Sequence, residues 1–383
     1  MLGGVKSERT NGHIAELPSI VLDHPFRPSP LLADAVRGQN TALAKSLDPI
    51  AETDESPREI PLGADAAFDW AAYVDFVVER EGSLTAAADR LAGARAYKDD
   101  VGSVERALRR LRHKGTGDGG RWGTRALATF GMPDEIMRRL RWMAVYHSRF
   151  TDLPVPIAAD LVRAWDRPPV NGSRSARTWI ALAHASIALR RADLAGALDH
   201  VGGARADLAS APATARLEAL FVQAYVASRL SPSDVGDLLA EAEQLLPEVA
   251  DAEEQSSLAA RLADHHGYAL GRASPPDHAG AEAVYRALPE ADATPFVCAR
   301  RASGLAHALW KQGRTDEAAA LARAAVSHAG DGGHVRLRAM ALSLLARIAG
   351  GDEGERAHAR AVAISARLLD ETLRIRLTGR SAR

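Results

Sequence analysis

Residues 305–326 read "LAHALWKQGRTDEAAALARAAV". Two runs rich in Ala and Leu flank Gln312, Gly313 and Arg314. Ala and Leu lose little side-chain entropy in a helix, and Gly accepts a turn conformation that a β-carbon resists. The stretch therefore reads as two helices joined at Gly313, with small residues that let them approach closely. Outward from it the same plan recurs. After Ser175, helix pairs are predicted at 177–190 with 194–206, 213–229 with 234–246, 254–271 with 278–288, 296–311 with 315–328, and 334–349 with 354–369. First helices start about forty residues apart, a period typical of stacked units that bury their apolar faces against their neighbours.

The fourth pair resembles a tetratricopeptide repeat (TPR). Leu305 and Ala306 stand at the paired apolar-and-small positions of its first helix, Gly313 at its turn, and Ala318 and Ala325 at small positions of its second helix. "IALRRADLAGALDHV" (187–201) follows the same plan, with Ala192 at the glycine position and Ala197 at the first small position. The other three pairs match poorly and exceed the repeat's usual 34 residues. The resemblance covers about half of the chain. It implies an all-α fold in which 175–383 form a right-handed α-solenoid of about five TPR-like hairpins. Such units bind peptides or protein segments in a concave groove lined by first helices. Carried onto the fourth unit, the register places Arg300, Ser303, His307, Trp310 and Lys311 on that face. Two cations beside an aromatic there suit a carboxylate or an acidic segment.

Composition agrees with closely packed helices: 46% of the 383 residues are hydrophobic but only 5% aromatic, so the core is built from Ala, Leu and Val. A net charge of −1 makes no whole-chain case for nucleic acid. One cysteine, Cys298, excludes an intramolecular disulfide and a Cys-based zinc cluster, and reads as a small buried residue. No segment approaches the roughly 18 apolar residues of a membrane span, and the N-terminus lacks a signal-peptide run. A cytoplasmic protein without membrane contact is expected.

Residues 1–64 hold seven of the nineteen prolines and show no sustained periodicity, which predicts a disordered Pro-rich arm. Within it "VLDHPFRPSPLL" (21–32) reads as a docking segment or a plain tail. A helical domain is expected over 65–170. Trp70, Tyr73, Val74 and Val77 mark one helix, and Ser83 caps a second that carries Leu84, Ala87, Ala88 and Leu91. Ser103 caps a third with Val104, Ala107, Leu108 and Leu111 on one face, and Asp134 caps a fourth over "EIMRRLRWMAVYHSRF".

The Gly-rich "HKGTGDGGRWG" (113–123) contains Gly115, Gly117 and Gly120 at G-x-G-x-x-G spacing. A dinucleotide loop needs a strand before it, and an arginine-rich helix stands there instead. A Walker loop needs Lys and Ser/Thr where Arg121 and Trp122 stand. Residues 82–93, 102–115 and this turn resemble a winged helix-turn-helix. The resemblance implies DNA contacts from Arg106, Arg109, Arg110, His113 and Lys114, and a hairpin wing at the glycines. Arg95–Arg141 carries a local net charge of +6, the footprint of a phosphate-facing surface. Against this, nine residues link the second and third helices, where a tight motif uses 3–4. The other reading is a solvated Arg-rich helix with a flexible terminus.

Two further stretches carry chemistry-bearing residues. "DHHG" (264–267) has the Asp-His-His of a phosphoesterase family but sits within a predicted solenoid helix. "YHSRFTDLP" (146–154) reads as a site or as a domain junction. No cofactor or metal is called for. The expected function is a non-enzymatic TPR-like adaptor or scaffold for a protein or peptide partner. The alternative is a DNA-binding transcriptional regulator with a TPR-like sensor domain.

Overall fold

The glycines at 115–123 owe their place to a tryptophan. In the computed structural model, which describes residues 68–94, 99–230 and 234–378, Trp70 is 1% exposed and its Nε1 donates to the Gly117 carbonyl at 3.2 Å. A β-carbon at Gly115, Gly119 or Gly123 would lie within 2.2–2.7 Å of the indole or of neighbouring backbone. Gly117 and Gly119 also have φ of +55° and +71°, a region side chains resist. Gly115, Gly119, Gly123 and the Gly117 carbonyl thus cradle Trp70, whereas Gly120, the last glycine of the G-x-G-x-x-G spacing, has nothing within 4 Å of its β-carbon position. The expected wing is corrected here: no strand follows Gly115, and Gly120–Phe130 is helix, because the turn closes directly onto Trp70.

Trp70 belongs to the core of four helices: α1 (Trp70–Glu81), α2 (Leu84–Gly93), α3 (Val101–Lys114) and α4 (Gly120–Phe130). Asp69 and Ser83 cap α1 and α2 by accepting from the Ala72 and Ala86 amides, both at 3.0 Å. The cap of α3 is Asp100 and not Ser103, whose own amide donates to Asp100 at 2.9 Å. Val104, Ala107, Leu108 and Leu111 are buried, as the periodicity predicts. α5 (Asp134–Ala144) ends earlier than expected, because Tyr146–Asp152 leaves the helix for a turn and a short 3₁₀ segment, Arg149–Asp152. α5 and α6 (Val155–Trp165) share a second core with the helix that follows.

That helix, α7 (Arg174–Arg190), pairs with α8 (Leu194–Gly203), and a short α9 (Arg205–Leu208) follows. The remaining pairs are α10 (Ala213–Leu230) with α11 (Val235–Leu245), α12 (Ala252–Arg272) with α13 (His278–Arg286), α14 (Pro295–Lys311) with α15 (Thr315–Asp331), and α16 (Val335–Ala349) with α17 (Gly351–Leu368). Among the described residues all regular structure is helical. Each first helix packs on the next, α7 on α10, α10 on α12, α12 on α14 and α14 on α16, an order compatible with a helical-repeat solenoid. The expected Pro-rich arm lies outside the described residues.

The turns of the first and fourth pairs match atom for atom. Gly313 takes φ +84°, and the amide of Arg314 donates to the Leu309 carbonyl at 3.0 Å. Ala192 takes φ +61°, and the amide of Asp193 donates to the Ala188 carbonyl at 2.9 Å. Both are left-handed caps that satisfy the helix's last carbonyls. The array also meets its own end. α18 (Glu371–Thr378) packs on α7, and the Thr372 hydroxyl donates to the Leu189 carbonyl at 2.5 Å.

Two substitutions test these assignments by chemical denaturation. Gly119→Ala forces a methyl into the indole and is expected to destabilise by about 1–3 kcal/mol. Ala192→Gly relieves left-handed strain and is expected to stabilise by about 0.5–1 kcal/mol. An unchanged midpoint for Gly119→Ala, or a lower one for Ala192→Gly, would contradict the two turn geometries.

Candidate functional site

Arginines that face a helical array's interior must find counter-charges or water, since burying an unpaired cation is costly. The first helices and α18 surround a cavity of about 840 Å3 in which this rule sorts nine cations into two groups. Arg190, Arg261, Arg300 and Arg336 are buried at 2–8% exposure, and each has a carboxylate. Arg261 pairs with Glu218, and Arg300 with Asp264 at 2.5 Å. Arg190 and Arg336 share Asp370, at 3.1 and 2.8 Å. Burial acts to raise the Asp370 pKa, but Arg336 and Arg190 outweigh it and hold the group below the ordinary carboxylate value.

Tyr146 sits among these arginines. The guanidiniums of Arg261, Arg300 and Arg336, from three successive first helices, lie 4.9, 5.2 and 5.3 Å from its ring centroid. Its hydroxyl accepts from Arg336 Nη1. Burial would raise the phenol's pKa; the charges of Arg336 and Arg300 outweigh it and bring the value down. Asp152, from the same segment, accepts the Arg336 amide at 2.7 Å. "YHSRFTDLP" therefore lines the cavity with Tyr146 and ties the loop after α5 to α16.

The second group is Arg229, Arg272, Lys311, Arg347 and Arg376, exposed into the cavity and without a carboxylate partner among the described residues. The first four stand in the last turns of α10, α12, α14 and α16. A cation there stabilises its helix by about 0.3–1 kcal/mol through the macrodipole. That accounts for their residue type but not for their common direction into one cavity. Aromatic faces support them. Arg229 lies 3.5 Å over Tyr225 and Arg272 5.6 Å over Tyr268, while Lys311 and Arg347 lie 4.6 and 4.9 Å from Trp310.

Of the residues expected in the groove, Arg300, Ser303, His307 and Lys311 line the cavity. Trp310 does not; it packs against the core between α14, α15 and α16. Arg300 is engaged by Asp264, so Lys311 is the cation of that set left for a ligand. Sequence reasoning missed Arg229, Arg272, Arg347 and Arg376, and singled out Tyr146 only as part of "YHSRFTDLP". "YVASR" (225–229) and "YALGR" (268–272) were the available signal, an aromatic four residues before an arginine at the end of successive first helices.

"DHHG" is accounted for by packing: Asp264 holds Arg300, and His265 stacks on Phe221 at 5.2 Å. Among the described residues no group of three His, Cys, Asp or Glu is placed to hold a metal. On α3, Arg109 pairs with Glu105 at 2.5 Å and Arg106 donates to the Ser103 hydroxyl at 2.9 Å. Arg110, His113 and Lys114 are exposed on the same helix.

Burial, reinforced by nearby cations, pushes His147 and His265 down to about 3 and His307 down to about 4. Folded values below the ordinary 6.5 mean that the stability from keeping these rings neutral is fully present above pH 6.5 and is lost as pH falls. Asp152, raised by burial to about 6, and Asp264, also raised by burial, work in the opposite direction, but burial lowers His200 and His334 too, so five rings oppose two carboxyls. Each histidine changes stability by up to about 1.4 kcal/mol per pH unit in this window. Urea denaturation is expected to show a marked loss of stability from pH 7 to pH 5, reduced in His265→Gln. A flat profile would contradict the buried neutral rings. No family model, curated protein or solved structure matches the chain, so any account of its function rests on the chemistry of the cavity itself.

Proposed function

We propose that the chain is a non-enzymatic adaptor of TPR-like helical-repeat type, which takes an acidic segment of a protein partner into its cavity. In this reading 175–383 form the solenoid and 65–170 an N-terminal helical domain. The observation that carries it is the row of rim cations, Arg229, Arg272, Lys311 and Arg347, left unpaired while the deeper arginines are neutralised. Packed helices lie 8–10 Å apart, so cations on four successive first helices extend over roughly 25 Å, the reach of about eight extended residues. A single small anion would engage one or two of them, whereas an extended acidic segment engages the row.

The test uses a fluorescent octapeptide of alternating Glu and Gly. It is expected to bind the full chain, to weaken with salt, and to lose at least about 100-fold in affinity to Lys311→Glu with Arg347→Glu, about 2.7 kcal/mol. Both side chains are exposed, so the fold is expected to persist, with the melting temperature lowered only modestly by two anions at helix C-terminal ends. Arg323→Glu, whose side chain meets Glu353 away from the cavity, serves as the control. Equal affinity in the cavity variant and the control would overturn the proposal.

A second reading has its own observation: Arg110, His113 and Lys114 have no partner among the described residues and share the exposed face of α3 with Arg106. In this reading the chain is a DNA-binding regulator whose solenoid senses the peptide. Three phosphates neutralised by Arg106, Arg110 and Lys114 correspond to a slope of log affinity on log salt near −2.7, from about −0.9 each. Arg110→Glu with Lys114→Glu is expected to flatten that slope. Absence of duplex binding at low salt would remove the reading.

A further inference from the structure

Resting on the adaptor reading, we infer that the bound segment is amphipathic, with an aliphatic side chain beside its acidic groups that seats on Leu189, Leu194 and Ile375. Charge alone does not describe this cavity. Its cationic rim comes from α10, α12, α14 and α16, but where α18 meets α7 the apolar Leu189, Leu194 and Ile375 line it, with Arg376 beside them. Leu189 stands in the last turn of α7 and Leu194 begins α8, both half-buried on either side of the left-handed Ala192, which also lines the cavity. Ile375, from α18, is 50% exposed and lines the same space.

The Thr372–Leu189 hydrogen bond and the Arg190–Asp370 ion pair fix these residues as neighbours. Asp370 is consumed by its two arginines, so this sector presents no free carboxylate to repel an acidic ligand. An isolated exposed isoleucine needs no explanation. Three apolar side chains gathered inside a cation-rimmed cavity do, because an acidic ligand without apolar groups would strand them in water. Charge complementarity at the rim identifies the occupant as acidic, and the apolar sector adds an aliphatic anchor.

Burying one leucine-sized side chain corresponds to roughly a 10- to 100-fold gain in affinity. The experiment compares the Glu/Gly octapeptide with the same peptide carrying one Leu in place of Gly, titrated against the full chain. The leucine peptide, placed in turn at each Gly position, is expected to bind at least tenfold tighter in one register. In Leu194→Ser with Ile375→Ser that gain is expected to shrink below threefold, while the all-acidic peptide keeps its affinity. Ile375→Ser alone, at a half-exposed position, provides the same readout should the double variant lose helicity. Equal affinity of all peptides for the wild type, or a gain that persists in the variants, would overturn the inference and leave the adaptor reading intact. No binding of any peptide would defeat both. A dimer by light scattering that Ile375→Ser dissolves would also overturn it, by assigning the patch to a second copy.

Discussion

Asp370 holds the two ends of the helical array to one another. Its side chain is fully buried, accepts from Arg190 of α7 and Arg336 of α16, and caps α18 by accepting the Leu373 amide at 2.9 Å. Taking two cations and an anion out of water is repaid only when the remaining hydrogen bonds are also made. Here they are: Arg190 reaches the Leu153 carbonyl at 2.6 Å, and Arg336 reaches the Tyr146 hydroxyl. One carboxylate thus gathers α7, α16, the start of α18 and the loop after α5. Losing it would leave two buried guanidiniums uncompensated, a loss on the order of 3–5 kcal/mol. The cavity exists because this clasp brings α18 and Tyr146 onto the same space as the first helices.

The clasp also explains why charge in the cavity is stratified. Deep arginines meet Glu218, Asp264 and Asp370, and their contribution is to geometry, since a buried ion pair is weak evidence of net stability. Rim cations meet aromatic faces and, for Arg229 and Arg272, a carbonyl or hydroxyl of their own helix, an arrangement that leaves their charge without a carboxylate. In the proposed adaptor role, partner selection lies with the rim and with the apolar sector beside α18, while the deep layer sets the distance between them.

Much of this was legible in the sequence, and for definable reasons. Helix pairs follow from local periodicity, and Gly313 and Ala192 mark equivalent turns because only a left-handed residue closes that cap. The α3 face was readable because four apolar residues at helical spacing define its buried side. What escaped is non-local. Asp370 lies 180 residues from Arg190, and Tyr146 lies 190 from Arg336, and no local pattern records such pairings. Arg300 was read as a groove contact because residue type does not disclose burial; Asp264, one repeat earlier, already engages it. Trp310 was read as facing the groove from a single repeat's register; its ring packs on the core and meets the cavity only through Lys311 and Arg347, which lie over it. In sequence the glycines of 115–123 read as a wing or a flexible terminus because the indole that needs them is 45 residues or more away in the chain, at Trp70.

The most direct test of the account is amide hydrogen exchange on the full chain with and without the acidic leucine peptide at saturation. The account predicts slowed exchange in the last turns of α10, α12, α14 and α16 and in α18, with α3 unchanged. Protection confined to α3, or to the second helices α11, α13, α15 and α17, would contradict it.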